Sequence, residues 1–139
     1  MIENFAYMAG IIDGEGAIVI SKHKKGNKIK YEAWIGVTNL DKRLLDWLKN
    51  NFGGRIGKQY YGKQYSQWIL HCGKAADVLR NIYPFLVIKQ EQADIFFKFR
   101  ETIGYSKTNR IPKDILCLRE KYHQELKILH IAKGGYNAY

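Results

Sequence analysis

Eight apolar residues follow one another without a break from Phe5 to Ile12, and the chain then turns to Asp13-Gly14-Glu15-Gly16. Asn4 is placed to cap a helix running to about Asp13. Phe5, Met8 and Ile12 mark one face of that helix. Ala6, Ala9, Gly10 and Asp13, spaced i, i+3, i+4, i+7, mark a second face of small residues. A helix that is apolar all round is buried all round, and small residues let another backbone come close. One face is therefore expected to meet the core, and the small face a second copy of the same helix.

Downstream, a pattern repeats. Ala17–Ser21 reads as a strand, residues 22–28 as a polar basic connection with Gly26-Asn27 at its tip, and Lys30–Thr38 as a second strand. A helix follows over about Leu40–Asn51, with Leu44, Leu45, Leu48 and Phe52 inward, ended by Gly53-Gly54. Two more strands, about Arg55–Tyr60 and Tyr65–Cys72, turn near Gly62-Lys63. Helices over about Lys74–Tyr83 and Ile88–Thr102 flank Pro84. Pro112 opens a last helix with Ile115, Leu118, Tyr122, Leu126 and Leu129 on one face. This predicts one α+β domain over residues 1–139: a four-stranded antiparallel sheet with helices on one face and residues of opposite parity on the other.

The chain carries 23 Lys and Arg against 13 Asp and Glu, a net charge of +10, on a composition that is 46% hydrophobic. A folding core with that excess charge points to a polyanion, most often nucleic acid. No apolar run approaches the roughly 18–20 residues of a membrane span, and the start of the chain lacks the pattern of a signal peptide. Cys72 and Cys117 form neither metal-site spacing nor a disulfide framework, so an intracellular, reducing compartment is expected.

The nonapeptide Met8–Gly16, "MAGIIDGEG", resembles the signature of the LAGLIDADG homing endonucleases, with Met8 in place of leucine. The αββαββα order matches that family's core. The segment Tyr83–Ala93, "YPFLVIKQEQA", resembles the stretch after its third helix, which carries a lysine near the active site. With one motif per chain, the resemblance implies a homodimer whose first helices pack at a two-fold axis through Ala6, Ala9, Gly10 and Asp13, placing each terminal carboxylate beside its mate.

It also implies a metal-dependent nuclease. Hydrolysis of a phosphodiester needs an activated water and a stabilised leaving oxygen beside an anionic phosphate, and hard cations on carboxylates and carbonyls supply both. Glu15 aligns with the family's metal-ligand acid and the Gly14 carbonyl with its backbone ligand, for Mg²⁺ with Mn²⁺ as substitute. Lys89 aligns with the active-site lysine, a stabiliser of the phosphate or polariser of the water. Asn39 and Arg43 fall where the family has a water-positioning polar residue and a basic residue, although Asn39 also fits a helix cap. Asp13 suits helix-end or inter-subunit hydrogen bonds better than metal binding.

Double-stranded DNA is the expected partner, read by the open sheet face. With Glu15 setting the register, Ser21 and His23 face DNA from the first strand and Lys30, Glu32 and Trp34 from the second. In the second half the DNA-facing set is Arg55, Gln59, Tyr65, Gln67 and Ile69. Lys22, Lys24, Lys25, Lys28 and Lys63 lie in or near the hairpin tips and suit phosphate contacts. Lys58 depends on a register that a one-residue slip would reverse. The histidines, His23, His71, His123 and His130, form no nuclease-like cluster. The resulting expectation is a homing endonuclease that breaks both strands of a long, approximately palindromic site. The alternative is a non-cleaving binder of the same fold, an intron maturase with RNA as partner or a DNA-binding regulator.

Overall fold

Helix α1 (Ile2–Glu15) starts before the expected cap and runs through Gly14; the computed structural model describes residues 2–58, 66–104 and 110–132. Asn4 therefore lies inside the helix, and its Nδ2 donates to Asn51 Oδ1 at 3.3 Å instead of capping. Met8, Ala9, Ile11 and Ile12 are buried. Ala6, Tyr7, Gly10 and Gly14 are exposed, so the outward stripe follows the helical spacing i, i+4, i+8 from Ala6.

Strands β1 (Gly16–Lys25) and β2 (Lys28–Asn39) pair antiparallel in one register, from Gly16↔Val37 to Lys25↔Lys28. The basic stretch expected to be a connection is strand almost to its end. Only Gly26-Asn27 turns, with Gly26 at φ 63°, a conformation that matches the twist of the flanking strands and favours glycine. Helix α2 (Lys42–Phe52) is capped by Asp41, whose carboxylate accepts from Arg43 N at 2.9 Å. Asn39 is thus not its cap. Strands β3 (Arg55–Lys58) and β4 (Ser66–His71) complete a sheet of order β1-β2-β4-β3, all neighbours antiparallel. Helix α3 (Cys72–Ile82), a single 3₁₀ turn at Tyr83–Phe85 containing Pro84, α4 (Gln90–Glu101) and α5 (Lys113–Ala132) follow.

One parity of the sheet supplies the core. Ile18, Ile20, Ala33, Ile35, Val37, Trp68 and Leu70 join Met8, Ile12, Leu45, Leu48, Leu79 and Phe96 in one buried cluster. Leu44 and Phe52 pack only partly buried against it. Each fully buried large side chain contributes about 1.5–3 kcal/mol of transfer free energy. Trp68 is wholly buried, and its indole N–H donates to Gly53 O at 2.7 Å, so its polar atom is satisfied as burial requires.

Helix α5 departs from the expected stripe. Leu118 is exposed, while Arg119 and Leu126 are buried. The Arg119 guanidinium donates to Thr102 Oγ1 and O, both at 3.0 Å, and lies over the Phe99 ring. Turned this way, α5 runs along the outer edge of β1. There His123 Nδ1 meets Ile20 O at 2.6 Å and His130 Nε2 meets Ile18 O at 3.0 Å. Lys89 Nζ donates to the next carbonyl in that row, Gly16 O, at 2.5 Å. Lys22 forms an ion pair with Glu120 at 3.0 Å, and Tyr31 donates a hydrogen bond to the same carboxylate. These contacts hold the Glu120 carboxyl near pKa 2, the Tyr31 hydroxyl being the largest cause.

Candidate functional site

The end of α1 delivers Gly14 and Glu15 to the start of β1, at one end of the open sheet face. Both residues are exposed, and a Cβ built at Gly14 would meet nothing within 4 Å, so the space beside its backbone is open. Asn39, at the end of β2, donates from Nδ2 to Glu15 Oε2 at 2.8 Å and accepts from Asp41 N at 2.7 Å through Oδ1. The amide is thereby fixed at both ends and orients the carboxylate. The Arg43 guanidinium grips Asp41 through Nε at 3.0 Å and its terminal nitrogen at 2.7 Å. Those bonds hold the Asp41 carboxyl near pKa 2. Arg43 itself remains almost fully exposed.

Asp13 and Lys89 brace the same junction from beneath. The Asp13 carboxylate accepts from the backbone N–H groups of Val87 at 2.8 Å, Ile88 at 3.3 Å and Lys89 at 3.2 Å. It occupies the N-terminal approach to α4, where a negative charge meets unpaired N–H groups and the positive end of the helix dipole. Of the two roles expected for Asp13, the structure shows the helix-end one, and its place on the partner-facing surface is corrected: its oxygens accept within its own chain. Ala9 is corrected too. It is wholly buried in the core cluster, leaving Ala6 and Gly10 as the small residues that face outward. The Lys89 ammonium donates to Ile12 O at 2.7 Å and Gly16 O. Burial pulls its pKa down, and the nearby Asp13 charge opposes that shift. An ammonium has three donors, so two carbonyl bonds leave one for a water or phosphate.

Residues opposite each other in an antiparallel pair share a face of the sheet. Ala17, Val19, Ser21 and His23 stand opposite Gly36, Trp34, Glu32 and Lys30. The same face continues through Gly36↔Ile69 and Thr38↔Gln67 to Arg55, opposite Ile69. The expected set Ser21, His23, Lys30, Glu32, Trp34, Arg55, Gln67 and Ile69 therefore lies on one surface. Lys24, Lys25 and Lys28 are exposed around the tip of the β1–β2 hairpin. Lys22 is removed from the phosphate-contact set, since it has core-side parity and is held by Glu120. Lys58, opposite Ser66, also has core-side parity. Gln59, Lys63 and Tyr65 lie outside the described residues.

Helix α5 forms one wall above this face, and sequence reasoning missed it. A groove of about 850 Å³ runs from Glu15 past Ala17, Val19 and Trp34 to His123, Lys127 and His130. Trp34 lies over Gly36, where a Cβ would come within 2.8 Å of the indole. The histidines gave no usable sequence signal because their β1 partners lie 103 and 112 residues away.

Among the described residues, no group of three or more His, Cys, Asp or Glu side chains could hold a metal ion. One chain offers the Glu15 carboxylate and the Gly14 carbonyl, both hard oxygen donors in open space. That set suits a hydrated Mg²⁺ that keeps most of its waters, since this ion is commonly bound by one or two carboxylates plus substrate phosphate.

Residues 8–103 match the family described as LAGLIDADG endonuclease. The DNA endonuclease I-CreI of Chlamydomonas reinhardtii is 28% identical over 109 residues, which span 76% of this chain and 67% of that protein. The archaeal intron-encoded homing endonuclease I-Vdi141I, solved in complex with DNA, has a TM-score of 0.81 at 19% identity over 99% of this chain and 89% of its own. The homing endonuclease I-CvuI, solved with its target in the presence of calcium, has a TM-score of 0.80 at 16% identity over 92% of this chain and 82% of its own.

Proposed function

The chain belongs to the LAGLIDADG endonuclease family, and from that premise we propose a homodimeric, divalent-metal-dependent homing endonuclease that cuts both strands of a long, approximately palindromic DNA site. The observation that carries this reading is Glu15, an exposed carboxylate oriented by Asn39 at the end of a groove whose floor is the sheet. The exposed face of α1 at Ala6 and Gly10 gives a second copy room to approach. Two chains packed there would bring two Glu15 carboxylates together, completing a site that one chain leaves half built. Close carboxylates repel unless a cation lies between them.

When bound, Mg²⁺ would lower the pKa of the attacking water and neutralise charge on the phosphate. Glu15 and the Gly14 carbonyl would hold it. Asn39 fixes the rotamer of Glu15, while Lys89 ties Ile12 to Gly16 and so holds the backbone that presents both donors. In this geometry Lys89 positions the site and retains one donor for the reaction. Arg43 has further N–H donors beyond those spent on Asp41. Strand β1 has ten residues; at about 3.3 Å each it spans about 33 Å, close to 10 base pairs at about 3.4 Å per pair. A two-fold dimer would thus cover about 20 base pairs.

The test uses Glu15→Gln, which keeps shape and removes the charge. Binding in Ca²⁺ and single-turnover cleavage in Mg²⁺ are measured on one site recovered from a random library. Binding should persist and cleavage should fall by orders of magnitude. Cleavage at the parental rate would remove Glu15 from the active site. A parent that binds but never cuts with Mg²⁺ or Mn²⁺ would establish the non-cleaving alternative.

A further inference from the structure

Glu32 is a carboxylate on a face that, in the function proposed above, meets a polyanion. It is well held. Lys30 Nζ lies 2.9 Å from Oε1, and His23 Nε2 lies 3.8 Å from Oε2. Ser21 Oγ stands 3.2 Å from the same imidazole nitrogen and donates to Glu32 O at 3.3 Å. The four residues are two adjacent cross-strand pairs, Ser21↔Glu32 and His23↔Lys30. The Lys30 ammonium is the largest cause of a lowered Glu32 pKa, which keeps the carboxylate ionised. An ionised acid has acceptors only, so against DNA it needs a donor. In the major groove, the donors on base edges are the amines of cytosine N4 and adenine N6.

The neighbouring groups separate those two amines. Adenine N6 has acceptors on both sides, its own N7 and the O4 of the paired thymine. A carboxylate there meets repulsion from either direction. Cytosine N4 has acceptors on one side only, guanine O6 and N7. Lys30 is mostly exposed beside Glu32 and offers donors next to the acceptor. A donor adjoining an acceptor is the complement of the G·C edge.

Resting on the DNA-facing role of this sheet, we propose that Lys30 and Glu32 together read one G·C base pair in each half-site. Glu32 accepts from cytosine N4 and Lys30 donates to guanine O6 or N7, while Ser21 and His23 fix the carboxylate. Ser21, opposite Glu32, is six positions from Glu15 along the chain. His23, opposite Lys30, is eight positions from it, so at about 3.3 Å per residue the pair lies about 6–8 base pairs outward from Glu15.

The full chain and its Glu32→Gln and Lys30→Gln variants are each used to select sites from a randomised double-stranded library in Ca²⁺, and the recovered sites are sequenced. Glutamine at 32 keeps the shape but adds donors, so a melting profile matching the parent's controls for folding. The parent should select G·C in one orientation at that position of each half-site. Both variants should lower the preference there about 5- to 100-fold, the range of one good base contact, with other positions unchanged. Parental selection by Glu32→Gln, a preferred A·T pair at that position, or a loss spread evenly over the site would overturn the assignment and leave the sheet's role standing. A parent that selects no sequence would overturn both.

Discussion

Replacing Asp13 tests whether the junction beneath the candidate site is held from within the chain. Its carboxylate accepts from three backbone N–H groups, Val87 at 2.8 Å and Ile88 and Lys89 at 3.3 and 3.2 Å. The first is a good charge-assisted bond, and the other two are long for their type. Alanine would remove one bond of about 1.5–2 kcal/mol to a charged acceptor, plus about 0.5 kcal/mol of interaction with the start of α4. The long bonds add a few tenths each, for a total of about 2–3 kcal/mol. At about 4 °C per kcal/mol for a chain of this size, melting should fall by about 8–12 °C. Asp13→Asn keeps one acceptor oxygen and should cost about half as much. The assay is thermal unfolding by circular dichroism at a single protein concentration, because the proposed dimerisation would itself raise apparent stability, with hydrogen exchange read at the amides of residues 87–89. An Asp13→Ala melt within about 1 °C of the parent, with those amides still protected, would refute the reasoning. A variant that melts like the parent but no longer dimerises would return Asp13 to the partner-facing role expected from its spacing.

Gly10→Leu should leave the fold of one chain intact, since a Cβ at Gly10 meets nothing within 4 Å; sedimentation should show dissociation of the proposed dimer, and a dimer of parental affinity would place its interface elsewhere. Gly53 and Gly54 both have positive φ, at 81° and 87°. Gly53→Ala should cost about 1–3 kcal/mol, because φ 81° with ψ −152° is a backbone region essentially confined to glycine, whereas a Cβ at Gly54 also comes within 2.5 Å of Ile69 O and 2.9 Å of Trp68 Nε1. Gly54→Ala should therefore cost about 1–3 kcal/mol more, and equal urea midpoints for the two variants would contradict this. Burial lowers the pKa of His130 below its ordinary 6.5, against the raising effect of the Ile18 carbonyl. The folded state therefore binds fewer protons, so this contribution is intact above about pH 6.5 and is lost as pH falls toward the folded pKa. Glu120, held near 2 from an ordinary 4.5, is lost in a lower window. His130→Gln should flatten the fall in urea midpoint between pH 7 and 5.5, and parental slopes in the variant would exclude His130 as the source.

Periodicity exposed the order of helices and strands because the hairpins alternate with period two and the intervening helices have clear apolar faces. Ile18 and Ile20 inward against Ser21 and His23 outward follow from that alternation. Helix α1 is the harder case. A segment apolar all round has no amphipathic direction, so small-residue spacing grouped the buried Ala9 with the exposed Ala6 and Gly10. Asp41 was a legible cap, immediately before Lys42, but Asn39 competed with it two residues earlier. Leu118 looked like core by spacing, yet α5 buries Arg119 because Thr102 supplies its acceptors, a partner seventeen residues away. Contacts of that kind leave no local trace in sequence.

The row of carbonyls on the outer side of β1 bears on how the chain meets other extended chains. An open edge of a sheet is a template on which another extended chain can add itself. Here Gly16, Ile18 and Ile20 present their oxygens in the direction such a chain would come from, and Lys89, His130 and His123 already occupy them. Beyond that row the strand is basic, with Lys22, Lys24 and Lys25, and a second copy would bring like charges into register. The β1 side of the sheet is thus closed to edge-to-edge pairing by the chain's own side chains, while the face that carries Ser21, His23, Lys30 and Glu32 keeps its side chains outward.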